Sequence, residues 1–386
     1  MFLKNRLFNC FIVSLFIVLL FGLSNKETYS IYDPKSVPNN KIGIHILFPS
    51  EIHKAKDMIN SNGGDWGYVT IPIQAGDKDI RKWQNFMDEA RSLHLIPILR
   101  LATEGDYFDK TTWRKPKDED VVDFANFVDS LDWPVKNRYI IVFNEVNRAD
   151  EWNGKANPQE YANLLSYTVD LFKSKNQDYF IISSGLDNAA DTLGGSYNQY
   201  DFMEEMESEV PGVFGKIDGL SSHSYPNPGF SAPPTALTKE SIMSFFYESQ
   251  TAEVLSGKKL PVFITETGWD QSKFGDKKVA GYFKTALDDV WIDEDIVAIT
   301  PFLLNSGPGP FHKFSFLKEN GDENEVFKMF ESYHKTAGKP YLYPARKILG
   351  IIEEDILDII DFSSFKLTGT EKAIKYAIKW LFFGIY

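Results

Sequence analysis

The chain has 386 residues, with 43% apolar and 25% charged, the proportions of a packed globular protein rather than a disordered one. A formal net charge of -13 argues against a nucleic-acid partner, because phosphate contacts need a basic surface. The single cysteine, Cys10, excludes an intramolecular disulfide.

The chain opens on a targeting pattern. Lys4 and Arg6 precede a nearly unbroken apolar run, Phe11 to Leu23, with the length of a signal-peptide core. Counted from Leu7, the run is long enough for a membrane anchor. Thr28-Tyr29-Ser30 is a weak cleavage site, so residues 1–30 read as either a cleaved signal or a retained anchor. Cys10 stands before the apolar run and not after it, which argues against a lipid-modified cysteine. Both readings place the protein outside the cytoplasm, secreted or held on the outer face of the cytoplasmic membrane.

From Lys41 onward, short β-branched apolar runs alternate with longer amphipathic stretches, the pattern of βα units around a parallel sheet. Strands are expected over 42–48, 66–73, 96–101, 139–143, 179–183, 217–222, 261–265 and 297–304. Helices are expected over 51–61, 80–93 and 120–131, and from Asn157-Pro158, where Pro158 fits the first helical position. Eight strands with helices between them predict an α/β fold, a single-domain (β/α)8 TIM barrel over 41–340, and Trp66 and Trp83 belong to its core. A Gly/Pro-rich break at Gly307 to Pro310 falls where a barrel-mouth loop belongs.

The pattern changes in 344–386, which reads as a helical tail. Ile348, Ile352, Ile356 and Ile359 recur at helical spacing, then Ile374, Ile378, Leu381 and Phe382 share one face with Lys372, Lys375 and Lys379 elsewhere. Such a basic amphipathic helix can lie on a membrane surface, giving membrane association through both ends of the chain. Docking on the barrel or on a second helix is the alternative.

In a (β/α)8 barrel the reactive groups sit at the C-terminal ends of the strands. Glu145 follows Tyr139-Ile-Ile-Val-Phe-Asn144, and Glu266 follows Pro261-Val-Phe-Ile-Thr265. Strands four and seven face each other across a barrel mouth, so both carboxylates can enter one cleft. Singly, each could be a strand-end carboxylate in a structural ion pair. Together they are the equipment of a retaining glycosidase, which needs two carboxyl groups about 5–5.5 Å apart, one protonated and one ionised. Arg100 at the end of strand three would keep a neighbouring carboxylate ionised. His223 and Tyr225 follow strand six, where Tyr225 can donate a hydrogen bond to Glu266.

Phe143-Asn144-Glu145 and Ile264-Thr265-Glu266-Thr267-Gly268-Trp269 resemble the two signatures of the clan A glycoside hydrolases, over roughly Lys41 to Thr336. The resemblance implies Glu145 as acid/base, Asn144 as the ligand of the sugar 2-hydroxyl, Glu266 as nucleophile, and β-linked carbohydrate as substrate. It also implies that His223 and Tyr225 line the nucleophile's subsite. Two departures stand out: Val146 replaces the common proline after the acid/base, and Phe302, Leu303, Leu304 and Asn305 replace the tryptophan common after strand eight. Trp269 and Trp152 are the substitutes for that sugar platform. Asn144-Glu145-Val146-Asn147 is similar to the xylosidase-like and exopolysaccharide-hydrolase members.

Other chemistries lack their motifs. There is no H-E-x-x-H or Cys/His cluster for zinc, no G-x-S-x-G elbow and no phosphate-binding G-x-x-x-x-G-K-[ST] loop. The expectation is a retaining β-glycosidase or β-glycanase that uses no metal and no cofactor. Two alternatives remain: a membrane-associated transglycosylase or exopolysaccharide-trimming enzyme, and a catalytically inactive barrel that binds glycans.

Overall fold

The computed structural model describes residues 31–104, 112–307 and 309–343. The expected signal or anchor at 1–30 and the expected helical tail at 344–386 lie outside these residues. Eight strands run in chain order: β1 (Gly43–His45), β2 (Gly67–Gln74), β3 (Leu95–Ala102), β4 (Arg138–Ile141), β5 (Tyr179–Ile182), β6 (Leu220–His223), β7 (Val262–Glu266) and β8 (Ile296–Ile299). Every ladder is parallel, from β1 to β5 and from β6 to β8. Single parallel bridges, Ile182 with Gly219 and Ile42 with Ile299, join the two sheets at both edges. The Ile299 amide donates to the Lys41 carbonyl at 2.8 Å, completing the ring.

Helices follow the strands: α1 (Ile52–Ile59), α2 (Ile80–Ser92), α3 (Asp118–Asp129), α4 (Pro158–Lys175), α5 (Gln199–Glu209), α6 (Val213–Lys216), α7 (Ser244–Ser256), α8 (Gln271–Phe274), α9 (Asp276–Thr285) and α10 (Glu325–Ser332). Local chemistry sets their starts. Asn157 caps α4 by accepting from the Glu160 amide, with Pro158 in the first turn where its missing N–H costs nothing. Asp79 caps α2 through the amides of Arg81 and Lys82. Among the described residues, no helix is long and apolar enough to cross a membrane.

Parallel strands covered on both faces should be apolar throughout, and β3 is buried at every position. Alternation then splits the core into two layers. Tyr68, Ile98, Tyr139, Phe180 and Phe263 fill the barrel interior, with Trp66 beside them, while Trp83 packs in the layer between strands and helices. Above the apolar interior sits a hydroxyl layer, in which Thr70 and Thr300 meet at 2.9 Å and Ser221 meets Thr265. The charged groups described below stand on it.

Two strands end earlier than the apolar runs suggest. β1 stops at His45 because Phe48-Pro49 opens a 3-10 turn with Pro49 in its first positions. β8 stops at Ile299 because the backbone beyond it finds other partners: the Phe302 amide donates to the Thr267 carbonyl, and the Leu304 amide to the His45 carbonyl. Both endings leave polar or aromatic residues free to face the mouth.

Closure leaves no slack near β1. A Cβ on Gly43 would stand 2.5 Å from the Tyr68 carbonyl oxygen and 2.7 Å from the Thr300 methyl. Gly43→Ala is therefore expected to destabilise the barrel by about 1–3 kcal/mol, the usual cost of overpacking. Urea unfolding of wild type and variant measures it, and equal midpoints would contradict this packing.

Candidate active site

Strand ends bring the candidate residues together. Arg100 points up from β3, His223 and Glu266 are the last residues of β6 and β7, and Asn144 and Glu145 follow β4. Past Ile141 the chain leaves the ladder through a strained turn, with Phe143 at φ 68° and Glu145 at φ 37°. Left-handed backbone at such residues costs on the order of 1–3 kcal/mol and persists only where the surroundings enforce it. Here the Glu145 amide donates to the Gly185 carbonyl at 3.0 Å, and the Arg148 amide to the Glu145 carbonyl at 2.8 Å. The turn thereby aims the Glu145 carboxylate across the mouth at Glu266.

Glu266 is held from several sides. Arg100 Nη1 donates to Oε1 at 2.5 Å, and the Tyr225 hydroxyl donates to Oε2 at 3.0 Å. His223 Nδ1 lies 3.7 Å from Oε2, and His45 Nδ1 lies 3.5 Å from Oε1. The same Arg100 nitrogen donates to Asn144 Oδ1 at 2.5 Å, which leaves the Asn144 amide nitrogen to donate to Glu151 Oε1 at 3.2 Å. Glu145 Oε1 meets His223 Nδ1 at 2.9 Å, and its Oε2 accepts from Arg148 Nη1 at 3.1 Å. Arg148 also grips Asp150 at 2.6 Å and lies 3.7 Å from Asp187. One carboxylate oxygen of Glu145, one of Glu266 and a ring nitrogen of His223 lie within 4.8 Å of one another.

The electrostatics separate these groups. Burial works to raise the Glu145 carboxyl, but the His223 hydrogen bond and the Arg148 charge outweigh it and hold the group below its ordinary value. For His223, burial works against the imidazolium, yet the Glu266 charge and the Glu145 contact raise it above the ordinary 6.5. The pair therefore shares one proton, resting on His223. Burial and the two carboxylates push the Tyr225 phenol well above its usual range, keeping it a donor. Burial and the Glu145 charge lift Glu151 to about 8 and Asp187 to about 6. Burial, with the charges of Arg100 and His223, drives His45 well below its ordinary value, so it is neutral.

Three clustered donors of this kind can in principle hold a cation. In this set Glu266 Oε1 already carries a guanidinium, Glu145 Oε2 carries another, and a protonated His223 Nδ1 has no lone pair to give. The arrangement fits proton sharing better than metal binding.

Of the residues expected from sequence, Glu145, Glu266, Asn144, Arg100, His223 and Tyr225 converge on one site. Trp269 does not, and its assignment to the sugar site is corrected. Its indole is fully buried between barrel and helices, donating to the Ala232 carbonyl at 2.8 Å and meeting the Phe283 ring edge-on at 5.0 Å. The chain after Glu266 passes so close to the strand-eight loop that a Cβ on Gly268 would stand 3.1 Å from the Phe302 carbonyl, and Trp269 falls on the helix side. Trp152 is at the mouth, lining a cleft with Trp113, Phe143, Asn144, Arg100 and Glu151. On the strand-eight side the aromatic is Phe302, edge-on to His45 at 5.1 Å. Sequence reasoning missed His45, Arg148, Glu151 and Asp187. The rule that found Glu145, a polar residue closing an apolar strand, marks none of them: His45 lies inside the apolar run from Ile42 to Phe48, and the other three lie in loops.

No protein-family model matches the sequence, and no curated protein sequence matches it significantly. Solved structures of similar fold are glycoside hydrolases. A family 39 glycoside hydrolase from the gut symbiont Bacteroides cellulosilyticus is 17% identical with a TM-score of 0.54, over 79% of this chain and 66% of that one. A glucosidase from Croceicoccus marinus is 12% identical with a TM-score of 0.55, over 76% and 68%. A GH5_18 protein from Streptomyces cattleya, solved in complex with GlcNAc, is 12% identical with a TM-score of 0.53, over 77% and 80%. At these identities the similarity speaks for the barrel, and the site geometry has to speak for the chemistry.

Removing one partner of a buried ion pair strands the other. Arg100→Met should cost about 3–5 kcal/mol of stability, and adding Glu266→Gln should recover part of that loss. Chemical unfolding of the two single variants and the double variant measures the coupling; additive effects would mean the pair is not formed in solution.

Proposed function

We propose that this protein is a retaining glycoside hydrolase that cleaves β-linked oligo- or polysaccharide by double displacement. The observation that carries the reading is the distance between the two carboxylates at the ends of β4 and β7, an oxygen of each within 4.8 Å. So close an approach favours the about 5–5.5 Å spacing of retaining enzymes over the about 6.5–9.5 Å an inverting enzyme needs to admit a water. β-Linkage follows from the clan A resemblance alone. The apolar leader supports action outside the cytoplasm, secreted or tethered to the outer face of the membrane.

In this mechanism Glu266, kept as a carboxylate by Arg100 and Tyr225, attacks the anomeric carbon as the glycosidic bond breaks. The leaving oxygen takes a proton from Glu145, which is resupplied by the His223 imidazolium at 2.9 Å. Glu145 Oε2 is held by Arg148 in the free protein, so the incoming aglycone takes the place of that contact. Water then attacks the glycosyl-Glu266 ester, gives its proton to the Glu145–His223 pair and restores the starting state. Each turnover consumes one water, and the proton inventory closes.

The first test is reducing-sugar release from a panel of β-glycans and aryl β-glycosides by wild type and Glu266→Gln. Wild type should release sugar with retained anomeric configuration by NMR, and the variant should lose turnover while keeping its fold. Equal release by both would remove Glu266 from the mechanism.

The shared proton also sets a pH dependence. A raised His223 keeps the proton below its own value and loses it as pH climbs through that value, which lies above 6.5. kcat/KM should accordingly fall on an alkaline limb above pH 6.5, and His223→Asn should abolish or displace that limb. An unchanged limb in the variant would assign the proton elsewhere.

A further inference from the structure

His45 is a buried polar side chain of the mouth that the mechanism above leaves unused. It closes β1 and is wholly inaccessible to solvent, and neither ring nitrogen has a hydrogen-bond partner. Its Nδ1 faces Glu266 Oε1 at 3.5 Å, and Phe302 seals the ring edge-on at 5.1 Å. A buried imidazole whose two nitrogens find no partner in the protein costs free energy, so a native protein keeps one there only where it serves something.

The surroundings narrow what it serves. His45 is neutral, and in a neutral imidazole one nitrogen carries a proton and the other a lone pair. Nδ1 faces an oxygen that is already an acceptor for Arg100 Nη1, so a lone pair pointing there would be repelled. The tautomer with the proton on Nδ1 is therefore favoured, and it aims a donor at the carboxylate. Arg100 and Tyr225 approach Glu266 from β3 and from the loop after β6, and His223 from the end of β6. His45 approaches from β1, a strand that carries none of the other donors.

We propose that His45 is a positioning residue for the Glu266 carboxylate, with Nδ1–H acting as a third donor that tightens onto Oε1 when the nucleophile aligns for attack. This rests on the reading of Glu266 as nucleophile. A neutral donor adds no charge that would bind the attacking group too tightly, whereas a second guanidinium there would. Apo hydrogen bonds at catalytic groups are commonly long and shorten in the reacting complex, which accounts for 3.5 Å in the unliganded site.

The test compares His45→Leu, His45→Asn and His45→Gln on the aryl β-glycoside that wild type cleaves best. The Asn amide nitrogen falls near the place of Nδ1, whereas the Gln amide nitrogen falls near the place of Nε2. His45→Leu should lower kcat by roughly 10–100-fold, the effect of one hydrogen bond to a charged group, with KM little changed. His45→Asn should recover most of kcat, and His45→Gln should recover little. A purely packing role would leave the Asn and Gln variants with equal kcat and would overturn the proposal, as would recovery by Gln in place of Asn. Thermal unfolding identifies any variant that fails to fold, and the Asn and Gln pair then decides. If wild type cleaves no glycoside, or Glu266→Gln remains active, it is the hydrolase reading that has failed and not the role of His45.

Discussion

The mouth of this barrel holds more carboxyl groups than cations, and the buried pairing of Arg100 with Glu266 is the contact on which the rest is arranged. Taking both charges out of water is expensive, and the attraction between them repays that cost only when geometry is close and the remaining donors are satisfied. The geometry is close, and Tyr225 completes the set by donating to the other Glu266 oxygen at 3.0 Å. One guanidinium nitrogen spans Glu266 Oε1 and Asn144 Oδ1, each at 2.5 Å, which fixes the amide of Asn144 so that its nitrogen faces the cleft. Arg148 compensates Glu145 in the same way from the solvent side. Of the acids left over, Glu151 lowers the charge of the site by holding its proton past neutrality, to about 8, while Asp187 keeps its own only up to about 6. The site thus holds Glu145 below and Glu151 above the ordinary carboxyl value, and carboxyls pushed apart in this way are what a two-carboxylate mechanism requires.

Holding that arrangement costs local order. The turn after β4 carries left-handed backbone at Phe143 and Glu145, residues with no intrinsic preference for it. Gly185 above β5 lies so near His223 that a Cβ would stand 2.2 Å from the ring. The strained turn and the crowded glycine meet through one hydrogen bond, from the Glu145 amide to the Gly185 carbonyl. Strain in the β4 turn and close packing at β5 therefore fix the same two groups, the Glu145 carboxylate and the His223 ring. A rigid barrel can sustain this because the strands beneath are buried on both faces.

Much of this was legible in the sequence, for a physical reason. Parallel barrel strands are apolar on both faces, so each appears as a short run, and the polar residues that close the run lie at the mouth. Glu145, Glu266, His223 and Arg100 follow from that rule, and the eight strands from the alternation of runs. Strand ends were less legible: the apolar character of Leu47-Phe48 and Pro301 to Leu304 continues past β1 and β8 because those residues build the aromatic rim. Trp269 was misplaced for a related reason. Position after a catalytic strand says which end of the barrel a residue occupies, but a glycine in close contact with the next loop decides which side it faces. Glu151, Arg148 and Asp187 come from loops whose course depends on tertiary contacts, and no periodicity announces them.

The resting protonation of the site also resolves an apparent conflict. A general acid should hold its proton, yet His223 and Arg148 keep Glu145 ionised. The conflict disappears when the acid is taken to be the pair rather than the residue. His223 and Glu145, 2.9 Å apart, titrate together, and interacting groups lose protons in steps that belong to both. In the proposed mechanism, entry of an aglycone would displace the Arg148 contact on Oε2 and exclude water, and both changes would favour the neutral carboxyl over the ion. The proton would then move from imidazolium to carboxyl to leaving oxygen without a solvent exchange. That mechanism needs one of the two carboxyls neutral when substrate is bound, and a proton stored on His223 would supply it.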